Sequence, residues 1–325
     1  MNKQKIILDT DPGGDDIFAL LWLLSLVKQG FVELVAIATA QGNVDANVTF
    51  ACASQVLALT GFTEIILGKG VIFDATDTGD AAYIHGNDGM GGLSKTLPPV
   101  LHDYATAPDS DHLIIDNLNR FPGEITLIAI APLTNLASAE IKSPGILKKA
   151  KEIIIMGGAF QVPGNVTSQA EFNIAFNVEA AQTVFNSRND IVVLPLDVTN
   201  QVILTPIMVQ EITLLNSTNV TGKFIVQLTD FLTQTSLTYR QSEGKNGFLV
   251  HDAATIAYLF YPETLFLRRA KVEIETQGRF TKGQTIFDDR HVTKTHPNSW
   301  VALQVDAANL LASLIEDLKV LLSDD

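Results

Sequence analysis

What most constrains the fold is a repeated alternation of short apolar runs, rich in Ile and Val, with longer stretches of helical periodicity. The runs Lys5–Leu8, Glu33–Thr39, Glu64–Leu67, Ile125–Ala131, Glu152–Met156 and Ile191–Leu196 read as strands. Helices are predicted near 15–28, 45–60, 110–121, 133–140 and 178–187. A strand that is apolar at consecutive positions is buried on both faces, and strands separated by helices pair in parallel through crossovers. The expected class is therefore α/β, an open, mostly parallel sheet with helices on both faces. After about residue 200 the pattern turns helical, near 206–215, 222–241, 252–260 and 303–322, so extra helices are expected in the C-terminal third. Val272–Thr276 reads as an edge strand or part of a small hairpin. No Pro/Ser-rich linker, repeat or low-complexity tract divides the chain, and residues 1–325 are expected to form one domain.

Composition narrows the function. The net charge is −14, with 22 Lys and Arg against 36 Asp and Glu, which argues against nucleic acid or an anionic membrane as partner. The single cysteine, Cys52, permits no intrachain disulfide framework. Met1 to Lys5 leads straight into a strand, without an apolar region long enough for a signal peptide. Phe18 to Val27 is strongly apolar but too short to span a bilayer, and reads as a buried helix. A cytoplasmic protein is expected.

In open α/β sheets, ligands gather at the carboxyl ends of the strands, and the polar clusters of this chain fall there. The first strand runs into Asp9-Thr10-Asp11-Pro12-Gly13-Gly14-Asp15-Asp16. Four carboxylates on one strand-to-helix turn repel each other, and a hard divalent cation with oxygen ligands relieves that repulsion. Later strands are followed by Gly42-Asn43-Val44, by Pro132-Leu133-Thr134-Asn135, by Gly157-Gly158 with Gly164-Asn165 and Glu171-Phe172-Asn173, and by Asp197. Singly, each has a modest reading: Asp15 and Asn135 as helix caps, Gly42-Asn43 as a turn, Asp252 as the N-cap of the apolar helix that follows it. Jointly, at successive strand ends, they outline a site. His251 beside Asp252, and His85 in the Gly/Asp/Thr-rich stretch Phe73–Pro99, add two of the chain's six histidines.

These residues carry a resemblance. The Asp9 to Asp16 run resembles the N-terminal signature of the nucleoside hydrolases, the inosine/uridine-preferring N-ribohydrolases. Gly42-Asn43-Val44, His85-Gly86-Asn87-Asp88-Gly89, Pro132-Leu133-Thr134-Asn135, Met156-Gly157-Gly158, Glu171-Phe172-Asn173 and His251-Asp252 resemble further motifs of that family, in the same order. The match spans roughly residues 5 to 260. It implies a Rossmann-like nucleoside hydrolase fold and Ca²⁺-dependent hydrolysis of the N-glycosidic bond of ribonucleosides to base and ribose. By resemblance, Asp11, Asp16 and Asp252 give carboxylate ligands to Ca²⁺, and Ile130 gives its backbone carbonyl. Asp11 doubles as general base, while Asp15, Asn43, Asn165, Glu171 and Asn173 grip the ribose with Met156 packed nearby. Asp9 would support the site from behind. His251 serves the leaving base, and His85 is a second contact there. Tyr239 matches a base-side tyrosine of some members and reads equally as a core aromatic. Members are commonly homodimers or homotetramers, and the implied partner is a small-molecule ribonucleoside.

The chain departs from the family at Ile130, usually Thr, where only the carbonyl is required. Cys52 replaces an Asn on the helix after Gly42-Asn43, and the segment before Asn165 is one residue longer. Glu243 stands where some purine-acting members carry Arg, which leaves the choice between purine and pyrimidine open. Two other functions compete. A Mg²⁺-dependent phosphatase of haloacid dehalogenase type also opens on strand-Asp-x-Asp, but it does not account for Glu171-Phe172-Asn173 or His251-Asp252. A non-catalytic nucleoside- or ribose-binding homologue would keep the sugar grip without turnover.

Overall fold

The Ile/Val runs do become strands: β1 (Gln4–Thr10), β2 (Val32–Thr39), β3 (Ile66–Gly68), β4 (Ile125–Ala129), β5 (Glu152–Met156) and β6 (Ile191–Leu194). A computed structural model describes residues 3–73, 78–214, 216–288, 290 and 296–323; residues 74–77 of the predicted loop Phe73–Pro99 lie outside the described residues. The chain continues through β7 (Ile203–Leu204), β8 (Phe248–Leu249), β9 (Leu265–Ile274), β10 (Thr285–Asp288) and β11 (Ser299–Val305). Among the described residues nine strands form one sheet, in the order β10-β9-β11-β6-β5-β4-β1-β2-β3. From β11 to β3 every pairing is parallel, and β9 and β10 join antiparallel at one edge. β7 and β8 make a separate short antiparallel pair.

Burial on both faces is visible residue by residue. In β1, Ile6 and Leu8 enter one apolar layer and Ile7 the other; β5 divides Ile154 from Ile153 and Ile155, and β6 divides Val192 and Leu194 from Ile191 and Val193. Alternate side chains leave a strand on opposite faces, so a run apolar at every position feeds two cores. The first layer is completed by the helices Gly14–Lys28, Ala46–Thr60, Val220–Tyr239, Ala253–Phe260 and Ala307–Leu322, the second by Ser110–Arg120, Thr134–Lys142 and Val178–Ser187. The helix Gly14–Lys28 is buried all round, with Ile17 to Leu24 wholly inaccessible. Each such side chain contributes about 1.5–3 kcal/mol by leaving water. The C-terminal helix locks onto it through one carboxylate: Asp317 Oδ2 accepts from Trp22 Nε1 (2.7 Å) and Tyr261 OH (2.6 Å), and Oδ1 from Gln29 Nε2 (2.8 Å). Among the described residues, no helix is long and apolar enough to cross a membrane.

The last third departs from the sequence expectation. The helix predicted at 303–322 is a strand, β11, up to Val305 and a helix only from Ala307. Asp306 separates the two, its side chain accepting from the Asn309 amide at 3.1 Å. The run Ala302 to Val305 is apolar enough to continue a helix, but Ala302, Gln304 and Val305 pair with β9, continuing the strand that Ser299 to Val301 begin between β6 and β9. Of the predicted Val272–Thr276, only Val272 to Ile274 are strand, the end of the longer β9 that begins at Leu265 and forms a hairpin with β10. Two predicted strands also end early: β4 stops at Ala129 and β6 at Leu194.

The chain runs outward from β1 through β2 to β3, then returns to place β4 on the other flank of β1. That reversal leaves a crevice beyond the carboxyl ends of β1 and β4, where the crossovers diverge to opposite sides.

Candidate active site

The turn after β1 sits at this crevice. Its double glycine is a matter of space. A Cβ on Gly13 would come within 2.7 Å of Asn43 Nδ2 and of His85 Nδ1, and one on Gly14 within 2.3 Å of a Leu232 methyl. The backbone thus runs close enough to its neighbours to aim Asp11, Asp15 and Asp16 into one cleft of about 880 Å³, open solvent at its mouth included. Ile130, the first residue past β4, extends the pairing by donating its N–H to the Asp9 carbonyl (2.8 Å). Its own carbonyl turns to Asn173, whose Nδ2 donates to it at 3.0 Å and to the Met156 carbonyl at 3.1 Å. The early end of β4 is what frees that carbonyl from the ladder.

The carboxylates are held by donors drawn from several elements. Asp16 accepts from Thr10 Oγ1 (2.7 Å), Asn43 Nδ2 (2.9 Å) and Gly13 N–H (3.3 Å). Asp11 Oδ2 accepts from Asn43 N–H at 2.7 Å, while Asn43 Nδ2 also donates to the Asp11 carbonyl at 3.0 Å. Asp15 Oδ2 accepts from His251 N–H at 3.1 Å. Asp252 stands at the start of the helix Ala253–Phe260, yet its side chain caps no amide and faces the cleft instead. Glu171 does cap its own short helix: its oxygens take the N–H groups of Asn173 (2.9 Å), Ile174 (3.2 Å) and Gly158 (2.9 Å).

Together Asp11, Asp15, Asp16, Glu171 and Asp252 line a cleft whose described lining contains no Lys or Arg. Burial, then repulsion from neighbouring carboxylates, raises Asp16 to about 7 and drives Asp252 and Asp11 well above the ordinary carboxylate range; burial raises Asp15 to about 6. Carboxyl oxygens of Asp15, Asp16 and Asp252 all lie within 4.8 Å of one another. Such a donor set, all hard oxygen and short of positive charge, fits a divalent cation. The sequence places Asp11 with Asp16 and Asp252; in the fold Asp15 stands closest to those two, and Asp11 beside them.

Each of the other expected residues has a definite place. Asn43, His85, Met156, Asn165, Glu171, Asn173 and His251 line the same cleft, as does Ile130. Asn165 is exposed at the rim, its Oδ1 accepting from Phe172 N–H at 2.9 Å. Asp9 does not reach the cleft. It is wholly buried behind it, with Oδ2 bonded by Asn135 Nδ2 (2.8 Å) and Oδ1 without a partner, and burial raises it to about 7. Asn135 likewise caps no helix: besides Asp9 it bonds the Thr39 carbonyl and the Val71 amide, tying three strand ends together. Asp197 stays outside the cleft and accepts from the Phe160 and Gln161 amides. Tyr239 is half exposed, so the core-aromatic reading fails. Its ring packs edge-on against Tyr83 with centroids 5.2 Å apart, and Tyr83, not Tyr239, lines the cleft. Glu243 is exposed in a left-handed turn (φ 53°) and does not line it.

Both histidines have one ring nitrogen engaged. His85 Nδ1 accepts from Gly14 N–H at 2.7 Å, so its neutral ring carries the proton on Nε2. His251 Nδ1 lies 2.8 Å from Thr199 Oγ1. Burial pushes each ring down to about 4, so at neutral pH both are uncharged. Thr199, Tyr83, Thr235 and Gln241 are site residues the sequence did not single out. The signals available were weak: Thr199 follows Asp197 in the polar turn after β6, and Thr235 precedes Tyr239 by one helical turn.

Residues 6–312 match the family described as inosine-uridine preferring nucleoside hydrolase. A non-specific ribonucleoside hydrolase of Escherichia coli is 37% identical over 306 residues, 94% of each chain. An inosine-uridine preferring nucleoside hydrolase of Crithidia fasciculata is 32% identical over 305 residues, 93% of each chain. Among solved structures, a purine-preferring ribonucleoside hydrolase from Gardnerella vaginalis superposes with a TM-score of 0.88 at 27% identity, covering 98% of this chain and 99% of its own.

Proposed function

Because the chain belongs to the inosine-uridine preferring nucleoside hydrolase family, it is a ribonucleoside hydrolase, and we propose that its carboxylate cleft performs the cleavage with Ca²⁺ bound among Asp11, Asp16, Asp252 and the Ile130 carbonyl. The observation that carries this reading is the buried, all-oxygen carboxylate set with no Lys or Arg in its described lining. The phosphatase alternative is not favoured, since the family match runs over nearly the whole chain. When bound, the cation lowers the pKa of an adjoining water and offsets the carboxylate repulsion.

The chain's own groups then have distinct tasks. Asp11, held through Oδ2 by the Asn43 amide, has its second oxygen available to take the proton from the attacking water. The water oxygen bonds to the anomeric carbon as the carbon–nitrogen bond breaks, and that electron pair leaves on the base. Asp15, Asn43, Asn165, Glu171 and Asn173 hold the ribose hydroxyls, with Met156 packed against the sugar. Positive charge grows on the sugar in an oxocarbenium-like state, and carboxylates on its face stabilise that charge more than the ground state. His251 donates a hydrogen bond to the departing base, and His85 makes a second contact there. Uncharged at neutral pH, they act as N–H donors.

We further propose that residues 1–325 act as one domain, that the enzyme is cytoplasmic, and that it assembles as a homodimer or homotetramer; its mass in solution tests the last point. Reducing-sugar release from a panel of purine and pyrimidine ribonucleosides, with and without chelator, tests the activity, the ion and the base preference together. No release from any nucleoside with Ca²⁺ present would overturn the reading. Full activity in chelator would leave the hydrolase and remove the ion.

A further inference from the structure

Among the described residues, the one polar contact of the His251 ring crosses to an element the reaction has not used. Thr199 ends the short helix Leu196–Thr199 that follows β6, 52 positions before His251, and it is wholly inaccessible to solvent. Its hydroxyl lies 2.8 Å from His251 Nδ1, and among the described residues it makes no other hydrogen bond. A buried hydroxyl has one proton to place and is destabilised if that proton finds no acceptor. Here the available acceptor is Nδ1. Were Nδ1 to carry the ring proton and donate, the hydroxyl hydrogen would be left buried and unpaired. We propose that Thr199 is a positioning residue that donates to His251 Nδ1, fixes the Nε2–H tautomer, and so presents an N–H donor to the leaving base.

The geometry supports this on its own terms. The bond joins the short helix just after β6 to the turn before the helix Ala253–Phe260, so it sets ring orientation as well as tautomer. His85 reaches the same tautomer by another route, through the Gly14 N–H, so both rings of the cleft keep Nε2–H for a ligand. The role of Thr199 rests on the proposed use of His251 at the leaving base.

The test compares two ribosides with wild type, His251→Ala, Thr199→Val and Thr199→Ser, all loaded with Ca²⁺. Inosine or uridine needs help for its leaving base, whereas a 4-nitrophenyl riboside expels a stable phenolate unaided. Thr199→Val is expected to lower kcat on the nucleoside about 10–100-fold while nitrophenyl riboside turnover stays within about twofold. Thr199→Ser is expected to restore most of the loss. ¹⁵N spectra of the imidazole should show His251 protonated at Nε2 in wild type and Thr199→Ser, and a tautomer mixture in Thr199→Val. Equal loss on both ribosides, or an unchanged tautomer in Thr199→Val, overturns the positioning role. If His251→Ala itself leaves nucleoside kcat unchanged, it is the assignment of His251 that fails. If His251→Ala is impaired and Thr199→Val is not, only the role of Thr199 fails.

Discussion

Removing the cation should leave a protein whose stability falls as the pH rises. Asp16 titrates at about 7 in the metal-free fold, against an ordinary 3.8. Between those values the folded chain holds a proton that the unfolded chain has released, so rising pH favours unfolding, and the loss is complete above about pH 7. About three pKa units correspond to roughly 4 kcal/mol for this one group. Asp15, raised to about 6, acts in the same direction, but the two charges interact and their costs do not simply add. For 325 residues, an unfolding entropy of about 2.1 cal/mol/K per residue converts 4 kcal/mol into a fall in Tm of about 6 °C. Calcium at a hundred times its Kd would return about 2.7 kcal/mol, or roughly 4 °C. Calorimetry of chelated and Ca²⁺-loaded protein from pH 4.5 to 8, with Asp16→Asn as reference, reads both effects. In Asp16→Asn the slope and the calcium response should both shrink. A wild-type Tm in chelator that is flat or rises over this range relative to Asp16→Asn, or coincident melting with and without calcium at pH 8, would refute the reasoning.

Three further outcomes follow from named contacts. Asp11→Ala should reduce nucleoside hydrolysis by at least about 10²–10⁴-fold, the worth of a general base, with an unchanged far-UV circular dichroism spectrum; near wild-type turnover would sink the mechanism. Gly14→Ala places a methyl 2.3 Å from Leu232 and is expected to cost about 1–3 kcal/mol in urea unfolding, and a neutral result would mean the helix shifts freely. Asp317→Ala strands Trp22 Nε1 and the Tyr261 hydroxyl and should cost about 2–4 kcal/mol while leaving kcat of the folded enzyme unchanged; a proportional loss of kcat would tie the far helix to the site.

Much of this protein is legible in its sequence because the controlling interactions are local. The strand Glu152–Met156 and the helix Val178–Ser187 have the predicted bounds, since Ile and Val in short runs and a 3.6-residue period report how each segment is buried. The Asp9 to Asp16 turn points to a cation by composition alone, as crowded carboxylates must bind one or hold protons. Where local preference and tertiary pairing compete, tertiary pairing wins: Ala302 to Val305 suits a helix but pairs with β9 and becomes strand. Periodicity is equally silent on which side chains meet. Asp15 and the His251 amide, 236 positions apart, and Thr199 and His251, 52 apart, are joined because the turns after β1 and β6 meet the segment that follows β8. Legible along the chain were a two-faced, mostly parallel sheet and an acidic turn able to hold a metal, because side-chain period and charge density are properties of sequence neighbours. The tertiary structure decided which acids converge, how far burial raises their pKa values, and which nitrogen each histidine offers, because those depend on desolvation and on partners the chain brings from elsewhere.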